Sequence, residues 1–203
     1  MAGPRAHWPS VLEMWRAFLW VGAVGALLDA GHTFTDVLGY NKPDIVYWRT
    51  AWWVPPQFGV GGIIMLILPH IVGFRPHRLC QESVLYVQIM SAVFVYAISS
   101  VLSLYKWTDA GISAFLAFSV IATWAITDTS AHSLGVCMLA GLLGWAYEGT
   151  LCHLGFFHYN NPDLWHVRHW ICWIWAGVAL AGHGIASDLL RTRIRAPATK
   201  KTD

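Results

Sequence analysis

The sequence predicts an all-α polytopic membrane protein: six transmembrane helices in one bundle, with both termini in the cytoplasm. Three observations predict it. Of 203 residues, 56% are hydrophobic and only 12% charged, against roughly 25% charged in ordinary soluble domains. Mean hydropathy is +0.48, and several uncharged runs are long enough to span about 30 Å of hydrocarbon. The basic residues are also unevenly placed. Arg5, Arg16, Arg75, Arg78, Arg191, Arg193, Arg195, Lys200 and Lys201 fall on one predicted side; Lys42, Arg49, Lys106 and Arg168 fall on the other. The richer side is cytoplasmic.

The elements follow in order. Residues 1–14 form a short polar N-terminus with no early apolar region and cleavage site, so no cleaved signal peptide is expected. The first span runs from about Trp15 to Leu28 or a little beyond. Asp29 and His32 lie near its exit, where they face a cavity or sit in the headgroup layer; the headgroup layer is favoured. The connection Thr33–Thr50 carries turn and interface residues.

Ala51-Trp52-Trp53-Val54-Pro55-Pro56 then marks a boundary. Paired Trp residues favour the membrane–water interface, and prolines open helices more readily than they continue them. The second span is about Val54–Val72, followed by a basic loop, Gly73–Gln81. The third is Ser83–Tyr105 and the fourth Ala110–Thr127, joined by the short link Lys106–Asp109. The fifth is Leu134–Phe157 and the sixth His166–Ala186. A basic tail, 187–203, completes a layout in which 15–186 form the transmembrane domain.

Glycines at helical intervals, such as Gly22 and Gly25 or Gly141 and Gly144, suit close helix packing in lipid. They fit contacts within one protomer or within a homo-oligomer equally well.

Catalytic signatures are absent. There is no GxSxG, GxxxxGK[ST] or GxGxxG, and no HExxH or CxxCH among the ten histidines. His153, His158, His166 and His169 read as interfacial rather than as metal ligands. The four cysteines form no CxxC pair, and a Cys152–Cys172 disulfide is not favoured. The net charge of +2 offers no argument for nucleic acid. Trp165, Trp170, Trp173 and Trp175 read as anchoring and packing rather than as a cofactor box.

Three polar positions stand out. Glu148, deep in the fifth span, pairs with a histidine or lines a polar cleft. Asp29 is its candidate partner if the chain is a transporter; the two three-helix halves, however, show no convincing internal similarity. Asp128, at the exit of the fourth span, caps the next helix or meets a partner, with capping favoured by its position.

Four motifs then converge on one family. Ala51-Trp52-Trp53-Val54-Pro55-Pro56 resembles the entry to the second helix of the Insig proteins, and Ala92-Val93-Phe94-Val95 resembles a stretch of their third. Trp124 and Asp128 resemble the Trp and Asp that end their fourth. Tyr159, Pro162, Asp163, Val167, Arg168 and Trp170 resemble the lead into their sixth. The resemblance covers about Leu27 to Ala186.

It implies a six-helix, non-enzymatic regulator that binds a sterol or diacylglycerol-like lipid in a central cavity, with no other cofactor. By position Phe94, Gly111, Phe115 and Trp124 would line that cavity. Asp128 would lie on the cytoplasmic face used for a membrane-protein partner. The location would be the cell membrane in a bacterium or the endoplasmic reticulum in a eukaryote. Two departures bear on this. Gly111 stands where the family has a glutamine that helps recognise sterol. Thr129-Ser130-Ala131-His132 replaces a basic run after the Asp. The chain is thus similar to a minimal, bacterial-type relative.

Overall fold

The computed structural model describes residues 8–41, 45–71 and 82–195. Six long helices dominate: α1 (Val11–Phe34), α2 (Val54–Ile71), α3 (Glu82–Leu104), α4 (Asp109–Thr127), α5 (Ala131–His153) and α6 (Ile171–Arg195). Four of them, α1, α3, α4 and α5, are long and apolar enough to cross a membrane, and α2 is apolar over Val54–Leu68. The chain is an integral, multi-pass membrane protein. The basic loop 73–81, Cys80 and the charges at Arg5, Lys42, Lys200 and Lys201 lie outside the described residues.

The helix ends differ from the expected spans for identifiable reasons. α1 begins earlier because Ser10 and Glu13 form a reciprocal capping box at its first turn, satisfying two otherwise orphaned N–H groups. Ser10→Ala should lower stability by about 1 kcal/mol, read as a fall in the melting temperature of the detergent-solubilised protein. α5 stops short of Phe157 because Gly155 takes a φ of +78° and turns the chain. α6 starts later than His166 and continues past Ala186 to Arg195.

Between helices the structure adds an element that no hydropathy pattern announces. Leu38–Tyr40 (β1) and Phe157–Tyr159 (β2) pair antiparallel, with Gly39 opposite His158. This ribbon ties the α1–α2 connection to the α5–α6 connection at one end of the bundle. α4 starts at the same end, because Asp109 accepts from the Trp170 indole (2.8 Å) and pairs with Arg168 (3.0 Å) just before α6. At the other end, Gln88 early in α3 donates to Thr127 late in α4. The helices therefore alternate in direction, and the free ends of α1 and α6 share the end opposite the ribbon.

The bundle contains an internal repeat that the comparison of three-helix halves misses. The repeating unit is a helix pair, α1–β1–α2 and α5–β2–α6, with α3 and α4 inserted between the copies. A shift of 119 positions carries Gly22 to Gly141, Gly25 to Gly144, Asp29 to Glu148, Asp36 to Gly155, and Tyr40-Asn41 to Tyr159-Asn160. The geometry repeats with the residues. Asn41 donates to the Gly155 carbonyl (2.9 Å) and Asn160 to that of Asp36 (2.8 Å). Asp36 (φ 55°) and Gly155 (φ 78°) take the same left-handed turn.

Matching bridges follow, Ile45 with Thr50 and Leu164 with Val167. The first loop is two residues longer, so the shift becomes 117 and carries Pro55 to Cys172 and Phe58 to Trp175. Gly22 faces the Pro55 carbonyl and Gly141 that of Cys172; Gly25 lies under the Phe58 ring and Gly144 under that of Trp175. These glycines bring each helix pair into close contact, the van der Waals packing that replaces hydrophobic gain in lipid.

The buried core gathers Val95, Ile112, Leu116, Val120, Ile174 and Leu180 from α3, α4 and α6, with Trp170 just before α6 and the Phe157 and Tyr159 rings of the ribbon. α6 is thus the inner helix, packed against α2, α3, α4 and α5.

Candidate functional site: a carboxylate-lined cavity under the ribbon

A small cavity lies where the two repeats meet. It is lined by Asp29, Leu38, Tyr40, Val54, Gln57 and Phe58 of the first repeat, Glu148, Phe157, Tyr159 and Trp175 of the second, and Tyr96 of α3. Its volume is about 20 Å³, room for one or two waters.

Each repeat brings one carboxylate to this cavity and holds it with its own strand tyrosine. Tyr40 donates to Asp29 Oδ2 at 2.8 Å, and Tyr159 donates to Glu148 Oε2. Both phenols lie outside the helices. Burial, followed by the charge of the adjacent carboxylate, pushes their pKa values far above the ordinary range, so they remain hydrogen-bond donors.

The remaining partners differ between the repeats. Asp29 Oδ2 also accepts from Thr50 (3.1 Å), whose counterpart Val167 has no hydroxyl. Glu148 Oε1 accepts from the Trp175 indole (2.6 Å), whose counterpart Phe58 has no N–H.

The expected placement of Asp29 and His32 in the headgroup layer is corrected here. Both are enclosed by the bundle, at 4% and 1% exposure. The last turns of α1 lie beneath the ribbon, so they meet protein instead of lipid heads. His32 stacks on Tyr96 (4.7 Å between centroids) and meets Ser99 Oγ at 2.8 Å. Ser99 already donates to the Tyr96 carbonyl (2.6 Å), so His32 Nε2 carries the hydrogen in this bond. Glu148 takes the polar-cleft alternative; its partners are Tyr159 and Trp175, not a histidine.

The other expected positions lie apart from the cavity. Phe94 is half-exposed on α3, and its ring meets Phe115 of α4 at 6.3 Å. Gly111 sits in the first turn of α4, its N–H bonded to the Thr108 cap. Trp124 donates to the Ser130 carbonyl (3.0 Å) and meets Ser133 Oγ (3.1 Å). None of the four borders the cavity.

Asp128 does not cap α5. Ser130 does, by accepting from Ser133 N–H, while Asp128 ends α4 and accepts from Ser130 N–H (3.0 Å). Its second oxygen lies 3.2 Å from His183 of α6, and its side chain is 12% exposed. With Gln88, Thr127, Ser130 and Ser133 it belongs to a polar network at the end opposite the ribbon.

Trp170, just before α6, and Trp173 and Trp175 within it act in packing, with their N–H groups satisfied: Trp170 by Asp109, Trp173 by Ser113 (3.0 Å) and Trp175 by Glu148. Trp165 is half-exposed. Among the histidines, His169 pairs with Asp163, and His158 meets Asn41 at 3.2 Å. Cys137, Cys152 and Cys172 are free.

No family model matches the chain. It is 26% identical over 138 residues to insulin-induced gene 1 protein of Xenopus laevis, a match covering 66% of this chain and 55% of that protein. The human insulin-induced gene 1 protein is 27% identical over 138 residues, covering 66% of this chain and 50% of the relative. The Gallus gallus insulin-induced gene 2 protein is 28% identical over 148 residues, covering 70% and 65%. The chain spans about half the length of the first of these relatives.

In structure it is similar to a mycobacterial Insig homologue from Mycobacterium vanbaalenii. The TM-score is 0.80 with 16% identity, over 91% of this chain and 97% of that one. A cross-linked trimer of that protein matches with a TM-score of 0.77, 17% identity and 91% and 96% coverage. The chain is thus similar in sequence to the insulin-induced gene proteins and shares the fold of the mycobacterial Insig homologue.

Proposed function

We propose that the chain is a non-enzymatic membrane regulator that holds a lipid between its helices, with the polar end of the lipid in the cavity beneath the ribbon. The observation that carries this reading is the cavity itself: a polar lining of Asp29, Glu148, Tyr40, Gln57, Tyr96 and Tyr159 set within apolar helices. A lipid with a small polar head and a large apolar body matches that contrast. The small cavity admits only the head, so the body lies between helices that part to receive it. The bound arrangement then differs from the empty one, and a partner can read the difference.

The resemblance to Insig proteins supports a sterol or a diacylglycerol as the class of ligand. The half-exposed Phe94 meets Phe115 between α3 and α4, one turn from Gly111, and forms a second surface suited to lipid chains or a partner helix, while Trp124 faces the start of α5. Asp128 holds the cytoplasmic end together behind it. Both termini are assigned to the cytoplasm, and self-association is proposed because the mycobacterial homologue has been crystallised as a cross-linked trimer.

Purification in mild detergent followed by lipid mass spectrometry tests the reading. A sterol or diacylglycerol should be enriched over bulk membrane lipid and displaced by added ligand of the same class. Bulk lipids in bulk proportions, with no competition, would refute it. Trp124→Ala tests that position by itself: unchanged binding removes Trp124 from the site.

One observation favours a second reading, a carrier. Repeats about an axis along the membrane normal, with ionisable groups at their junction, recur in transporters. Substrate flux in proteoliposomes that disappears in Glu148→Gln would establish it.

A further inference from the structure

The two repeats treat their carboxylates unequally, and the inequality identifies what the cavity recognises. In the second repeat both oxygens of Glu148 have donors, Tyr159 on one and Trp175 on the other. In the first repeat Tyr40 and Thr50 both donate to Asp29 Oδ2. The position that would serve Oδ1 is Phe58, the counterpart of Trp175, and a phenyl ring has no hydrogen to give. Among the described residues nothing donates to Oδ1, although Asp29 is 4% exposed and borders the cavity. On a residue this enclosed, an acceptor without a protein donor must find its donor in whatever occupies the cavity. This one opens into a space the size of one or two waters.

We propose that Asp29 is the specificity-determining acceptor of the site: its open oxygen takes the hydrogen of a free hydroxyl on an uncharged lipid. This rests on the lipid-binding reading and names the head group that the site selects. A hydroxyl has the volume of the water the cavity admits, and it supplies the donor that Phe58 lacks. A capped hydroxyl has no hydrogen for Asp29. A phosphate exceeds the space and brings negative charge against two carboxylates. Gln57 and Tyr96, which also border the cavity, are placed to accept from or donate to the same hydroxyl.

Native mass spectrometry of the full chain tests this with three probes. They are 1,2-dioleoylglycerol, triolein, in which the hydroxyl is esterified, and dioleoylphosphatidic acid, in which it carries phosphate. The wild-type protein should retain dioleoylglycerol about tenfold or more over both others, the range expected for one hydrogen bond to a charged group.

Two variants should bring the ratio of dioleoylglycerol to triolein near one. In Phe58→Trp the new indole N–H occupies Asp29 as Trp175 occupies Glu148. In Asp29→Asn the amide oxygen stays with Tyr40 and Thr50, so the NH₂ faces the cavity and turns acceptor into donor. A wild-type protein that retains the three probes alike, or two variants that both keep its preference, would overturn the inference and leave lipid binding standing. A wild-type protein that retains none of the probes overturns the lipid reading, and the inference with it.

Discussion

Trp170→Ala should destabilise the bundle by about 3–5 kcal/mol, the range for truncating a fully buried aromatic. Trp170 is 0% exposed, the largest side chain so enclosed among the described residues. It joins three parts of the fold at the ribbon end. Its indole donates to Asp109 at the start of α4, its ring lies beneath the Arg168 guanidinium (5.7 Å), and its edge meets His32 of α1 (5.8 Å). Arg168 pairs with the same Asp109 oxygen that the indole uses. Truncation therefore opens a cavity and also removes the indole hydrogen bond from a partly buried carboxylate, leaving it the ion pair with Arg168.

Trp170→Phe separates the two effects. It keeps most of the ring packing and loses the N–H, so it should cost well under half as much as the alanine variant. Thermal unfolding in detergent, followed by near-ultraviolet circular dichroism, measures both. Equal losses in the two variants would mean that the hydrogen bond, not the packing, holds this junction.

The membrane bundle was legible in the sequence because long apolar runs separated by turn residues have few other solutions. The cavity was not. Asp29 and His32 sit near the end of an apolar run, and distance along a helix alone would put them among lipid heads. Their burial depends on the ribbon, and three-residue strands that pair across more than a hundred positions leave no periodicity to detect.

A signal did exist in the duplicated Tyr-Asn-x-Pro-Asp at Tyr40 and Tyr159, each a fixed distance after an acidic residue in an otherwise apolar helix. Comparing three-helix halves hides it, since the copies are helix pairs with two helices between them. Asp128 shows a different limit. Its spacing allows a cap for α5 as readily as the bond with His183, and only the approach of α6 decides between them.

The repeat also yields a prediction in which one substitution should act alike at two distant places. Gly22→Ala and Gly141→Ala should each destabilise the protein by roughly 1–3 kcal/mol, the usual cost of forcing a methyl into a packed contact. A Cβ at Gly22 would stand 2.8 Å from the Pro55 carbonyl oxygen, and one at Gly141 would stand 2.7 Å from that of Cys172. Both obstacles are backbone, so relief requires the helices to separate. Helix propensity acts in the opposite direction, since alanine is favoured over glycine by up to about 1 kcal/mol. A net loss would therefore report the collision.

Gly61→Ala and Gly135→Ala provide the control, because neither Cβ would have any atom within 4 Å. Those two variants should match or exceed the wild-type melting temperature. If Gly22→Ala and Gly141→Ala behaved like them, the close crossings of α1 with α2 and of α5 with α6 would not be what holds the two repeats together.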